Sequence, residues 1–307
     1  MAATVPQFTL NDGTKIHAVG MGTFVGKDTG FEPRAELLVK NAIKHGYRHI
    51  DTAFAYGTEQ AVGKEIRESG LPREDFYVTT KLSSRYHDRV REGFDLSLKS
   101  LNLDYVDLYL MHWPQARKAN GDTLQPEEYP TIIDTWKDME GLLETGKVKS
   151  IGVSNFSIKT LEQLLPHAKV IPAVNQVELH PALQQPELLA YCKSKGIHLT
   201  AYTPLGSGSS PFYKHDTFLA IAAKHDATVA QVLLSWGVQR GTAVVPKSEN
   251  EHRMAQNISL IKLDDDDMQQ INNLHGQPGF KRGLLSYFKD GKVDGWAPEQ
   301  LGWDYSD

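Results

Sequence analysis

Four side chains in this 307-residue chain have the types needed to deliver a proton to an oxygen: Asp51, Tyr56, Lys81 and His112. The acid and the phenol sit five residues apart in the stretch GYRHIDTAFAYGTEQAVG, residues 46–63. A tyrosine is a poor proton donor near neutral pH because its reference pKa is about 10. It becomes useful where a fixed cation stabilises the phenolate, and Lys81 and His112 are the candidates. The plainer reading of the same stretch is an aspartate capping the helix that follows and a half-buried tyrosine. Which reading holds depends on where the fold puts these groups.

The stretch itself marks a strand handing over to a helix. Tyr47, His49 and Ile50 read as a strand end, and Glu59, Ala61, Val62 and Ile66 begin a helical pattern. In α/β proteins that junction is where chemistry is built. Upstream, QFTLNDGTKIHAVG has two short alternating runs around Asp12-Gly13, which predicts a hairpin over 7–19. From Gly20 onward strand and helix patterns alternate through eight rounds. The strands end near Gly22, Asp51, Lys81, His112, Asn155, His180, Tyr202 and Ser248, with helices near 34–45, 59–69, 88–101, 131–145, 157–165, 186–195, 217–225 with 228–239, and 251–257. Near-continuously apolar strands between helices require a parallel sheet covered by helices. Eight rounds over this length is the count that closes a barrel. The fold class read from the sequence is therefore α/β: a (β/α)8 TIM barrel with an N-terminal β-hairpin and extended βα loops. No linker rich in Pro, Gly or Ser and no shift in composition interrupts it, so residues 1–307 read as one barrel domain.

Composition narrows the function. Hydrophobic content of 40% and charged content of 23% describe a soluble globular chain with ample core material. A formal net charge of -5 argues against nucleic acid or a membrane surface as the main partner. Cys192 is the sole cysteine, so no intramolecular disulfide can form and a reducing compartment is favoured. The N-terminal MAATVPQFTLNDG lacks the basic flank and apolar core of a signal peptide, and the expected location is cytoplasmic. No obligate protein partner is evident in the sequence.

A barrel places its chemistry at the C-terminal ends of its strands, and the polar residues follow that rule. Asp51 follows the second strand, Lys81 ends the third and His112 ends the fourth. Ser154 and Asn155 follow the fifth, Gln176 and Glu178 lie on the sixth, Tyr202 ends the seventh, and Lys247 and Ser248 follow the eighth. Packing alone does not explain a polar group at nearly every strand end on one face. The motifs GYRHIDTAFAYGTEQAVG, LNLDYVDLYLMHWP, IGVSNF, VNQVELHP, AYTPLGSG and VVPKSENEHRMAQN, taken in that order, resemble the aldo-keto reductase family over almost the whole chain. Within it the likeness is to fungal or yeast-like reductases of the aldehyde, glycerol or aldose type.

That resemblance implies reversible hydride transfer between a nicotinamide cofactor and an aldehyde or ketone, with Asp51, Tyr56, Lys81 and His112 as the catalytic four. Hydride attack on a carbonyl carbon leaves an alkoxide that must be protonated. Tyr56 is the expected general acid, its acidity raised by Lys81, which Asp51 holds in turn. His112 is expected to be a neutral imidazole whose N–H steadies the carbonyl oxygen.

The resemblance also implies a cofactor site. Gly20, Gly22 and Gly26 look faintly like a dinucleotide fingerprint, but neither the spacing nor the context fits GxGxxG. Gly22 is expected instead to permit close backbone approach, with Thr23 and Phe24 lining the pocket. Ser154, Asn155 and Gln176 are expected at the nicotinamide carboxamide, and Tyr202 stacked on the ring. The run TPLGSGSS, with Leu205 and Ser207, would cover the pyrophosphate, and Lys247, Ser248, Arg253 and Asn257 would surround the adenosine end. The two cations predict NADP(H) over NAD(H), since Arg and Lys both suit a phosphate. Glu249 tempers that preference, because its carboxylate would repel the phosphate, so use of NAD(H) stays possible.

For the substrate, Phe24, Ala55, Ser83, Trp113 and Trp303 are the expected pocket lining. Ser83 is small where many relatives carry a bulky aromatic, which implies a wider or more polar pocket for a small-molecule carbonyl. Asp264 to Asp267 are assigned to a helix N-terminus, where acids suit the dipole, and not to a metal. Two alternatives fit a barrel of this kind: a cofactor-binding barrel in a regulatory or accessory role, and a barrel glycosidase using Asp51 with Glu178. The second leaves Tyr56, Lys81 and Tyr202 without a purpose.

Overall fold

The computed structural model describes residues 5–206, 210–278, 280 and 288–303. The chain opens with β1 (Gln7–Thr9) and β2 (Lys15–His17), then alternates: β3 (Gly20–Gly22), α1 (Phe31–Lys44), β4 (His49–Asp51), α2 (Glu59–Glu68), β5 (Tyr77–Leu82) and α3 (Val90–Leu101). It continues through β6 (Val106–Met111), α4 (Ile132–Leu142), β7 (Val148–Ser154), α5 (Ile158–Leu164), β8 (Val174–Glu178) and α6 (Pro186–Ser194). The last round is β9 (His198–Tyr202), α7 (Asp216–Lys224), α8 (Val229–Gln239), β10 (Ala243–Val245) and α9 (Glu251–Ile258). After it come α10 (Asp265–Asn272), β11 (Phe288–Lys289), β12 (Lys292–Val293) and α11 (Pro298–Leu301).

Strands β3 to β10 form one eight-stranded sheet in sequence order, each described pair parallel. The first and last strands meet: Val244 N–H donates to Ala18 O at 2.8 Å and Gly22 N–H to Pro246 O at 3.0 Å. The barrel is thereby closed. Glycine suits position 22 at this seam, since a Cβ there would come within a tight 3.1 Å of Val245 O. β5 and β6 are buried along their whole length, which is why they read as continuous apolar runs rather than alternating ones.

The predicted hairpin plugs the bottom. Leu10 and Ile16 pack with Tyr77, Leu108, Leu110, Ala173, Val174 and Ala243, which come from four barrel strands or their ends. A larger apolar cluster lies between strands and helices and includes Trp136 and Trp236. Several helix starts are set by side chains: Thr131, Ser157, Thr228 and Asp264 each form a reciprocal capping box. The aspartate run is thus accounted for, as Lys224 also grips Asp264 and Asp267 at 2.6 and 2.8 Å.

The sequence reading placed most elements within a few residues. It ran α4 through to 145, where the helix instead tightens into a 3-10 turn at Leu143–Thr145. It did not see the β11–β12 hairpin or α11. These dock on the loop after β6: Gln115 Nε2 donates to Val293 O at 2.9 Å and Trp296 Nε1 to Leu124 O at 2.7 Å. No helix among the described residues is long and apolar enough to cross a membrane.

Burial of imidazoles sets an acid limit on this fold. Desolvation pushes His49 down to about 4 and His87 down to about 3, both sealed in the interior. Below pH 6.5 the unfolded chain takes up protons that the folded chain refuses, so stability is full above that pH and falls as pH drops toward 4. Glu59 opposes one imidazole between about 4.5 and 7, because burial pushes its carboxyl up to about 7 and the folded state is protonated first. Each unopposed imidazole costs on the order of 1 kcal/mol per pH unit in that window. Urea melts at stepped pH should show stability falling from pH 6.5 downward, and His87→Leu should make the slope shallower. An unchanged slope would mean that His87 does not contribute.

Candidate active site

Asp51 is the last residue of β4 and Lys81 the penultimate residue of β5, so the parallel register brings their side chains to one end of the barrel. Lys81 is fully buried and donates from Nζ to Asp51 Oδ1 at 2.7 Å and to Thr52 O at 2.8 Å. Asp51 Oδ2 accepts from Gln176 Nε2 at 2.7 Å. A charge removed from water in this way is tolerable only when paired and hydrogen-bonded, and both conditions are met.

Tyr56 stands over this pair in a 3-10 turn after β4, with its ring centroid 5.0 Å from Lys81 Nζ. His112, one residue past β6, meets the Tyr56 ring edge-on with centroids 5.5 Å apart. Phe24 packs against the Tyr56 ring with centroids 5.2 Å apart. The four residues singled out by type are thus neighbours in space. His112 is held well below the usual histidine range by burial first, then by Lys81 and His87, so its imidazole is neutral.

The expectation for Tyr56 needs correcting. Burial, reinforced by the Asp51 carboxylate, raises its phenol above the ordinary value rather than lowering it. Tyr56 is therefore a fully protonated donor at neutral pH.

Two cavities meet at this point. One is a groove of about 500 Å³ lined by Asp51, Tyr56, His112 and much of the expected cofactor set: Gly22, Thr23, Phe24, Ser154, Asn155, Gln176, Tyr202, Leu205 and Lys247. The other, about 1060 Å³, is lined by Phe54, Ser83, Ser84 and Arg85 among others, and shares Ala55, His112 and Trp113 with the groove. Amides and hydroxyls line the inner end of the groove and a cation its outer end, a donor set that fits a carboxamide at one end and a phosphate at the other. Asn155 has a left-handed backbone at φ 64° and bridges strand ends: its Nδ2 donates to His112 O at 2.9 Å and its Oδ1 accepts from Tyr202 OH at 2.7 Å. Ser154 Oγ donates to Gln176 O at 2.8 Å.

Other expectations fare differently. Ser207 lies outside the described residues. Ser248 is buried and its hydroxyl turns to Asn250, Asn257 is buried on α9, and Arg253 is exposed on the first turn of α9; none of the three lines the groove. Trp303 packs half-buried against the core just past α11 and lines neither cavity. The carboxylate-pair reading loses its carboxylates, since Asp51 is committed to Lys81 and Gln176, and Glu178 contacts His180 at 2.9 Å.

Some site residues were not read from the sequence. Gln176 as a support for Asp51 was one, and Thr203 was another, a β-branched residue at φ 52° on the groove wall. Such strain on a β-branched residue is characteristic of functional sites. Arg34 was a third. Its guanidinium grips Glu249 at 2.8 and 3.0 Å and Asp28 at 2.9 and 3.0 Å, while Lys247 Nζ contacts the same Glu249 at 2.5 Å. Together the two cations hold the Glu249 carboxyl down to about 2. The link is invisible in sequence because Arg34 and Glu249 are 215 residues apart.

The Aldo/keto reductase family model matches residues 18–275. The D-galacturonate reductase of Hypocrea jecorina is 44% identical over 303 residues, covering 94% of this chain and 95% of that protein. The glycerol 2-dehydrogenase (NADP(+)) of Saccharomyces cerevisiae is 45% identical, covering 89% and 92%. Among solved structures, an aldo-keto reductase of Bombyx mori in complex with NADP superposes with a TM-score of 0.83 at 37% identity, over 89% of this chain and 94% of that one. Another aldo-keto reductase, complexed with NADPH, gives 0.84 at 33% identity over 96% and 99%.

Proposed function

This chain belongs to the aldo/keto reductase family, and on that premise we propose how its own residues reduce a carbonyl. It is an NADP(H)-dependent oxidoreductase that converts an aldehyde or ketone to the alcohol. The observation that best supports the residue assignment is the meeting of groove and cavity at Ala55, His112 and Trp113, beside Tyr56.

Bound NADPH supplies the hydride. The carbonyl oxygen is received by the neutral His112, whose N–H points a dipole at the developing negative charge. Tyr56 gives that oxygen its phenolic proton. Its raised pKa does not forbid the step, because an alkoxide is a far stronger base than a phenolate. Lys81, fixed by Asp51 and Thr52, then stabilises the phenolate until a proton returns. When the cofactor is bound, Ser154, Asn155 and Gln176 would hold its carboxamide, Tyr202 its nicotinamide ring, and Lys247 its adenosine phosphate.

Tyr56→Phe removes only the donor. Turnover should fall by roughly a hundred- to ten-thousandfold, while NADPH binding, read by protein fluorescence, stays within about twofold of wild type. A variant retaining half of the wild-type turnover would overturn the assignment.

Cofactor preference follows from the ion pairs at Glu249. Arg34 occupies both oxygens of that carboxylate, so its repulsion of a phosphate is largely neutralised and Lys247 can turn to the ligand. Wild type should prefer NADPH in kcat/KM. Lys247→Met should erase most of that preference, and Arg34→Met should erode it by several-fold, less at high salt because the pair is exposed. Adding Glu249→Gln to Arg34→Met should restore it. Retention of full preference in Lys247→Met would remove Lys247 from the phosphate site.

A further inference from the structure

The larger cavity carries an electrostatic signature that the reduction itself does not need. Its wall holds five cations, Lys27, Arg85, Arg117, Lys289 and Lys292, against two carboxylates, Asp290 and Asp294. This surplus of positive charge belongs to a chain whose formal net charge is -5. Arg117 is spoken for by an ion pair with Asp294. Lys27, Arg85, Lys289 and Lys292 are exposed, and among the described residues none has an ion-pair partner.

Their placement is built by the fold from three separate segments. Lys27 comes from the loop between β3 and α1, and Arg85 from the 3-10 turn Ser84–Tyr86, four residues beyond Lys81. Lys289 and Lys292 come from the β11–β12 hairpin. That hairpin is tied to the wall by the Arg117–Asp294 pair, by Gln115 on Val293 O and by Trp296 on Leu124 O. Its two lysines are therefore presented at the cavity by anchored backbone. The rest of the wall is mixed: Phe54 and Trp113 offer apolar faces, Ser83 and Ser84 hydroxyls.

We propose that the physiological substrate is a carbonyl compound bearing an acidic group, a carboxylate or a phosphate, whose carbonyl reaches Tyr56 and His112 while its anion lies among Arg85, Lys27, Lys289 and Lys292. Like-signed charge gathered in a cleft concentrates anions there and raises their capture. The groove cannot claim these four cations, because they line only the substrate cavity. The inference rests on the reductase reading above, and its chemistry is the same hydride and proton transfer.

The test compares charged and uncharged carbonyls in pairs: 4-carboxybenzaldehyde against its isostere 4-formylbenzamide, and glyceraldehyde 3-phosphate against glyceraldehyde. At low salt the acid of at least one pair should have the higher kcat/KM by about tenfold, expressed mainly in KM, since each exposed charge contributes modestly and several converge. Raising KCl should shrink that preference to about threefold or less. The double variant Arg85→Met/Lys292→Met should do the same at low salt, and calorimetry should show benzoate binding to the wild-type protein more tightly than to this variant. The pair that responds tells carboxylate from phosphate. Equal kcat/KM within both pairs at low salt overturns the proposal, as does an acid preference that the double variant leaves intact. Failure to reduce any of the four compounds would sink the reductase reading instead, and an absence of benzoate binding in the same protein would then sink the anion site as well.

Discussion

The constraint on which the rest of this structure depends is the buried ion pair between Asp51 and Lys81. An ammonium with no solvent exposure must find its partners inside the protein, and here they are a carboxylate at 2.7 Å and the Thr52 carbonyl at 2.8 Å. Removing one member of such a pair leaves the other uncompensated, at a cost of about 3–5 kcal/mol. The barrel exists to make this arrangement affordable. Parallel strands in register bring the end of β4 beside the end of β5, and Gln176 reaches from β8 to hold the second carboxylate oxygen. Three strands thus converge on one carboxylate, and the Tyr56 ring lies against the ammonium.

The pair also sets the electrostatics of the reaction. Asp51 holds the ammonium in place, and its own carboxylate disfavours a Tyr56 phenolate before a substrate arrives. Burial then keeps the phenol protonated and the His112 imidazole neutral. Both groups rest in the state that carbonyl reduction uses: an O–H to give and an N–H to orient. Charge is needed only as the proton leaves Tyr56, and the ammonium is already in place to meet it. Such preorganisation requires no reorganisation at the moment of reaction.

Much of this was legible in the sequence, for identifiable reasons. The strands are buried on both faces, so their apolar runs stand out, and the polar residues that interrupt them at their C-terminal ends mark the site. Asp12-Gly13 announced the hairpin because apolar residues flank the turn. Asp290-Gly291 is the same signal, with φ 52° and 73°, but the two-residue strands it joins are largely exposed and carry no alternation. The cationic wall was hidden because its members come from segments about 58 to 265 residues apart in sequence, joined only by folding. The raised Tyr56 phenol escaped a reading that counted Lys81, because burial of the ring, its main cause, is a property of the fold and not of residue type. Ser248, Arg253 and Asn257 are expected at the adenosine end by resemblance alone, because residue type does not place them relative to the groove.

The most direct measurement of the central claim is the pH dependence of kcat/KM for carbonyl reduction by the wild-type enzyme at saturating NADPH. A neutral His112 and a protonated Tyr56 predict a flat profile between about pH 6 and 8, with activity lost only on the alkaline side, where the phenol begins to ionise. An inflection near 6.5 would show that His112 acts as a charged group, and a decline through about pH 7 would show a Tyr56 already acidified by Lys81. Either result would contradict the account of a neutral site preorganised around a self-compensated ion pair.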